Sequence, residues 1–200
     1  MPQPIEFFFD FSSPYGYLAS REIDALGAKY GREVVWKPIL LGAVFKLTGG
    51  IAQVSVPIKG DYARHDFIRF ARLLGVEFKL PDPFPFSSIH AVRAFWWLEG
   101  QDPTAAHDLA QHIYNKAFAG GGDIASAQSI ASAAAEIGID GAALLAGIES
   151  QEIKDRTRTE NDAAIARGVF GSPFIVVDGE AFWGADRSEQ VGKWLDTGGW

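Results

Sequence analysis

The chain opens on an almost unbroken apolar run, Ile5-Glu6-Phe7-Phe8-Phe9-Asp10-Phe11, which stops at Ser12-Ser13-Pro14. Aromatic and branched residues without strict alternation predict a buried strand over residues 5–11. The period then changes. Leu18, Ile23, Leu26 and Tyr30 recur at helical spacing up to Gly31, which predicts a helix over 15–30. A second strand is predicted at 33–37, closed by Pro38. The first forty residues thus predict a β-α-β unit, whose two strands run parallel.

No strand pattern of comparable strength recurs between residues 47 and 168. Helices are predicted at 59–74, 87–99, 103–119, 126–137 and 141–149. Pro103 and Asp123 stand where helices start, and Gly75, Gly100 and Gly138 stand where they stop. A Gly/Val/Pro loop at 48–60 and a Pro-rich loop at 81–86 separate them. The pattern returns to β at 173–177. Asp178-Gly179 is a strong two-residue hairpin signal before a partner strand at 180–183, and a last helix is predicted at about 187–195.

Composition narrows the function classes. The 200 residues are 48% hydrophobic, enough for one sizeable core. A formal net charge of −7 argues against nucleic acid or an anionic membrane as the main partner, but leaves room for a local basic pocket. There is no cysteine, which excludes a disulfide framework, a thiolate metal site and any redox thiol of the protein's own. No apolar run approaches the roughly 20 residues that cross a bilayer. The N-terminus shows no export signal, so a cytoplasmic protein is the expectation. His107 and His112 are five apart, poor spacing for one helical face, and no metal site is expected. Gly120-Gly121-Gly122 lacks the lysine and the strand-to-helix setting of a phosphate loop and reads as a turn.

Candidate chemistry gathers at the predicted helix starts. Ser13-Pro14 reads as an N-cap with proline at the first helical position; a hydroxyl beside free N–H groups there also suits a bound anion. Ser172-Pro173 reads as a proline opening a strand. Asp186 reads as an acid at a helix start, stabilised by the dipole, or as a partner for a ligand ammonium. Lys59 on its own reads as a solvated surface lysine. Phe95, Trp96 and Trp97 read as helical core, whereas Phe45 and Trp183 are candidates for an aromatic pocket.

Six segments carry a resemblance that runs the length of the chain. They are residues 9–18 (FDFSSPYGYL), 37–46 (KPILLGAVFK), 57–62 (PIKGDY), 84–88 (FPFSS), 167–173 (RGVFGSP) and 182–187 (FWGADR). Together, in this order, they resemble the 2-hydroxychromene-2-carboxylate isomerase family, bacterial relatives of kappa-class glutathione transferases in the DsbA-like branch of thioredoxin folds. The resemblance implies an α/β thioredoxin-like fold with an inserted all-helical domain: residues 1–42 and 164–200 in the thioredoxin-like domain, 43–163 in the insertion.

It also implies a cofactor, glutathione, and a mechanism. Ser13 would be the catalytic residue, its hydroxyl supporting the glutathione thiolate, while Ser12 caps the helix. Glutathione would be held by Ser13, Lys59, Ser172, Pro173, Ala185 and Asp186, with a cis bond before Pro173. The family more often has an apolar residue at Ser172, whose hydroxyl would stand near the thiol. Related transferases often have a serine at Ala185, and relatives have an asparagine at Gly50, so the resemblance implies that one hydrogen bond and one amide donor are missing here. The substrate pocket would include Phe45, Gly50 and Trp183. The implied reaction is cis-trans isomerisation of an aromatic-derived carboxylic acid by transient thiol addition, and the implied assembly is a homodimer. A kappa-type transferase or peroxidase, and a non-catalytic glutathione-binding protein, remain the alternatives; a disulfide oxidoreductase does not, because it needs a protein thiol.

Overall fold

The computed structural model describes residues 3–200. Four strands, β1 (Ile5–Phe9), β2 (Val34–Pro38), β3 (Phe174–Val177) and β4 (Glu180–Trp183), form one sheet in the order β2-β1-β3-β4. β1 pairs with β2 in parallel, and β3 pairs antiparallel with both β1 and β4. Between β1 and β2 lie α1 (Pro14–Ser20) and α2 (Ile23–Lys29). Between β2 and β3 the chain is helical: α3 (Leu41–Thr48), a 3-10 turn at Gln53–Ser55, α4 (Lys59–Leu74), α5 (Ile89–Glu99), α6 (Pro103–Phe118), α7 (Ala127–Glu136), α8 (Gly141–Glu149) and α9 (Gln151–Ala166). A 3-10 turn, Ala185–Arg187, leads into α10 (Ser188–Thr197). This is a mixed α/β thioredoxin-like core with an inserted, largely helical domain. The expected junction between residues 163 and 164 lies inside α9, which runs through it unbroken.

The side-chain alternation of β1 sets the layers. Phe7 and Phe9 stack at 5.3 Å and meet Trp36, and Phe9 continues to Phe95 and Tyr114 of the helical layer. Phe8 faces the other way, into a smaller cluster with Ile39, Ala164, Val169 and Phe174. Phe95 and Trp96 are core residues, as expected. Asp178 and Gly179 both take positive φ, 51° and 88°, which is the two-residue hairpin turn read from the sequence.

Three departures from the predicted elements have physical causes. β1 ends at Phe9, because the Asp10 N–H leaves the ladder for the Ser172 hydroxyl at 2.9 Å and the Asp10 carboxylate takes the Ser12 N–H at 2.7 Å. The helix predicted over 15–30 is two helices; at the break the Ser20 hydroxyl donates to the Tyr17 carbonyl at 2.6 Å, a local bond that competes with the helical ladder. α9 had no counterpart among the predicted helices. Its buried stripe, Ile153, Thr157, Asn161 and Ala164, has helical spacing but is half polar, so hydrophobic periodicity misses it.

On one face of the sheet, Glu6 pairs with Arg167, the residue that closes α9, and, at 2.9 Å, with Lys37 of β2. The Arg167 guanidinium, helped by Lys37, lowers the Glu6 carboxyl to about 2. A depressed folded-state value means the stabilisation is complete above the unfolded value near 4.5 and is lost as pH falls toward 2. The stability difference between wild type and Glu6→Gln in urea unfolding is therefore expected to be constant above pH 5 and to vanish by about pH 2. A difference independent of pH would show that the pair contributes nothing.

Candidate active site

Asp10 organises the floor of the site. It is buried, and its side chain accepts from the Ser12 N–H (2.7 Å), the Ser12 hydroxyl (2.8 Å) and the Leu41 N–H (2.7 Å). Burial pushes its carboxyl up, against the pull of those donors and of Ser88. The start of α1 and the start of α3 are thus tied to one carboxylate. Leu40, the residue before α3, donates its N–H to the Asn161 side chain of α9 at 2.8 Å.

The backbone of Asp10 is satisfied by side chains that belong to other elements. Its N–H donates to the Ser172 hydroxyl and its carbonyl accepts from the buried Tyr114 hydroxyl at 3.0 Å. Both bonds converge on the Asp10 backbone, so Ser172 and Tyr114 are held in one buried cluster. Burial pushes the Tyr114 phenol well up, which keeps that proton in place. The bond from the Asp10 N–H corrects one expectation: the Ser172 hydroxyl is turned inward to Asp10 rather than left free to meet a thiol.

Ser13 is the N-cap of α1, its side chain accepting from the Gly16 N–H at 3.0 Å. A carbonyl can only accept, so the bond of 2.9 Å to the Ser172 carbonyl is donated by the Ser13 hydroxyl. α1 is only seven residues long, so its macrodipole is small. Any acidifying effect at this place comes from the hydroxyl and the free N–H groups rather than from a long helix.

Ser13 opens onto a cavity of about 1250 Å³. Ser12, Ser13, Ser172, Pro173, Ala185 and Asp186 all line it, and the Ser172–Pro173 bond is cis. Asp186 is largely exposed, with Arg187 at 3.5 Å, and Gly184 at φ 122° leaves room for its carboxylate. The lining also carries the aromatic rings of Phe45, Phe67, Phe70, Phe84 and Phe86. Trp183 stands at the rim against Phe170, over Gly171, where a Cβ would lie 2.2 Å from the indole nitrogen. Gly50 lines the cavity beside the Phe45 ring.

Among the residues singled out from the sequence, Lys59 is the exception. It is the first residue of α4, exposed, and does not line the cavity. The cations that do are Lys46, Arg69 and Arg187. The sequence reading also missed a polar group in the cavity wall. The Tyr15 hydroxyl donates to Asp66 at 2.5 Å, and Arg69 bonds both Asp66 and, at 2.9 Å, the Tyr62 hydroxyl. Burial, then Asp66, pushes the Tyr15 phenol up, so it remains a donor. The signal was available: Tyr62, Asp66 and Arg69 are spaced four and three apart on one helix, hence on one face.

Topology and site together define a thioredoxin-like protein whose site holds hydroxyls and backbone groups where a protein thiol is absent. Residues 4–196 match the DSBA-like thioredoxin domain, and the chain belongs to that family. Over 197 residues it is 29% identical to 2-hydroxychromene-2-carboxylate isomerase of Sphingobium xenophagum, covering 98% of this chain and 99% of that one. It is 27% identical to glutathione S-transferase kappa 2 of Caenorhabditis elegans, covering 96% and 91%. A solved 2-hydroxychromene-2-carboxylate isomerase superposes with a TM-score of 0.85 at 26% identity, covering 97% and 95%. The cytosolic disulfide reductase DsbM of Pseudomonas aeruginosa, solved with GSH, shares the fold, with a TM-score of 0.65 at 17% identity over 98% of each chain. No helix of the described residues is long and apolar enough to cross a membrane.

Proposed function

We propose that this protein is a glutathione-dependent isomerase of an aromatic-derived carboxylic acid of the 2-hydroxychromene-2-carboxylate type. The observation that carries the reading is one cavity lined both by hydroxyl, backbone and carboxylate groups at Ser13, Ser172-Pro173 and Asp186 and by the aromatic rings of Phe45, Phe67 and Phe86. Its volume exceeds what one small ligand needs, and it suits a tripeptide and an aromatic acid side by side.

The donor set fits glutathione. Asp186 offers a carboxylate to an ammonium, the Ser172 backbone offers peptide-like contacts, and Ser13 offers a hydroxyl to sulfur. Glutathione, when bound, supplies a sulfur nucleophile that adds to and leaves a conjugated carbon, so that a double bond becomes rotatable. The chain's own residues orient the partners and exclude water: the phenylalanines desolvate the ring, and Arg69 and Lys46 are the cations placed to meet the acid. The relatives named 2-hydroxychromene-2-carboxylate isomerase and the cysteine-free sequence both support isomerisation over a reaction that needs a protein redox group. A kappa-type transferase would use the same sulfur site, and the kappa-class relatives keep that reading in play.

The test is ultraviolet titration of the thiolate of glutathione bound to wild type and to Ser13→Ala. A free thiol titrates near about 8.5, and donors around a thiolate lower that value. We expect the bound thiol to titrate near about pH 7 in wild type and to return toward the free value in Ser13→Ala. Identical, unshifted titrations in both proteins would remove the catalytic reading. Turnover of a hydroxychromene carboxylate, set against conjugation of an electrophilic aromatic, then separates isomerase from transferase.

A further inference from the structure

A hydroxychromene acid is a cyclic hemiketal: the carbon that bears its hydroxyl also bears the ring oxygen. The neighbouring double bond cannot rotate until that ring opens, and opening moves a proton from one of these oxygens to the other. The groups assigned so far do not carry it. Ser13 serves the sulfur, Asp186 serves an ammonium, and Asp10 lies buried beneath three donors.

The cavity lining holds one more carboxylate, Asp66 of α4, and it comes with a hydroxyl. The Tyr15 O–H donates to Asp66 Oδ2 at 2.5 Å, while Arg69 holds the other oxygen, Oδ1. Having given its proton, the Tyr15 oxygen still has a lone pair with which to accept. Its place is set from two sides. Tyr15 is the second residue of α1, two past Ser13, so the helix start puts phenol and sulfur site on the same cavity. Its ring stands edge-on to Phe67 at 4.9 Å and tilted to Phe70 at 6.5 Å. Burial, then Asp66, pushes the phenol up, so a tyrosinate is no resting point and any proton must pass straight through.

We propose that Tyr15 and Asp66 form a proton relay that opens the hemiketal ring, separate from the sulfur site that isomerises the double bond. This rests on the isomerase reading above and adds to it the residues that move the proton. The hemiketal O–H gives its proton to the Tyr15 oxygen as Tyr15 passes its own to Asp66. The electrons of that O–H bond become the carbonyl π bond. The bond from the same carbon to the ring oxygen breaks, and its electron pair stays on the aryl oxygen. The proton then returns from Asp66 through Tyr15 to that oxygen, which becomes a phenol. Both protein groups end as they began, and no co-reactant is consumed. Because the two substrate oxygens start on one carbon, a single tyrosine reaches each in turn. Arg69 fixes the carboxylate so that Oδ2 faces Tyr15.

Tyr15→Phe removes the hydroxyl and keeps the ring against Phe67 and Phe70. The test follows two substrates: a hydroxychromene carboxylate, and the ring-opened acid with its phenol methylated, which isomerises but has no ring to open. On the first, kcat is expected to fall on the order of a hundredfold in Tyr15→Phe, the low end for loss of a proton-transfer group. Adding Asp66→Asn should lower it no further, since residues acting as a unit are not additive. The dependence of kcat on solvent deuterium content should be curved in wild type, where more than one proton moves at once, and linear in Tyr15→Phe. The methyl ether should be isomerised at the wild-type rate, and the bound glutathione thiol should titrate as in wild type. Unchanged turnover of the hydroxychromene acid by Tyr15→Phe overturns the relay and leaves the isomerase reading standing. Equal losses on acid and ether overturn it too, because the pair then only holds α1 against α4. An ether that wild type does not isomerise also overturns it, since rotation itself then needs the aryl hydroxyl. A wild type that turns over neither substrate overturns both readings.

Discussion

Asp10→Ala is expected to lower the stability by about 3 kcal/mol and to loosen the start of α3. The side chain holds the Ser12 and Leu41 N–H groups, and each donor left unsatisfied away from water costs about 1–3 kcal/mol. For a chain of this length that corresponds to a fall in Tm of roughly 6–12 °C. The effect should be local as well as global. Amide exchange over residues 41–45 is expected to accelerate more than exchange in β1, because α3 loses the bond to its first residue while the sheet ladder remains. Asp10→Asn should be intermediate: one oxygen still serves Ser12 or Leu41, but the amide NH2 then faces the other donor. Equal exchange in α3 of wild type and Asp10→Ala would show that the carboxylate does not anchor the helix.

Gly16→Ala is the second substitution with a large expected effect. The added Cβ would lie 2.6 Å from the Tyr114 oxygen, 2.7 Å from the Ser172 oxygen and 3.2 Å from the Ser13 Cβ. All three neighbours are buried, so the strain cannot be relieved toward solvent. Overpacking of this kind costs about 1–3 kcal/mol, and the upper end applies where hydrogen-bonded groups must move. The cause can be isolated. In a Ser172→Ala/Tyr114→Phe background the two closest oxygens are gone, and the penalty of Gly16→Ala is expected to shrink by about 1 kcal/mol or more. Urea unfolding of the four proteins measures this. The same penalty in both backgrounds would mean that the clash lies with Ser13 alone.

Much of the fold was legible because hydrophobic period and turn chemistry agreed. The apolar β1 run, the Asp178-Gly179 turn and the glycine stops of α4 and α5 each encode one structure locally. The failures share a cause. α9 buries Thr157 and Asn161, and Asn161 serves a backbone N–H 121 residues away, so its stripe is not written in hydrophobicity. α3 directs Leu41 and Phe45 into the cavity and buries only Val44 of its eight residues, so it shows no core-facing stripe either. At the candidate site, Ser13, Ser172, Pro173 and Asp186, which the resemblance singled out, all line the one cavity. What could not be read was the direction in which a polar atom points. The Ser172 hydroxyl looks available in a sequence and is consumed in the fold; Lys59 lies in a motif and yet stands outside the cavity.

The two successive N–H groups leading into α3 have a mechanical consequence. Leu40 is held from the α9 side by Asn161 and Leu41 from the sheet side by Asp10, whereas the far end of the helix closes on Gly49, left-handed at φ 74°. The helix is thus a cantilever, clamped at one end by two layers of the protein and carrying Phe45 near its free tip. Displacement of Phe45 is resisted by the stiffness of that beam and by the bend at Gly49-Gly50, while Ser12, tied to the same Asp10 carboxylate, sits at the clamp.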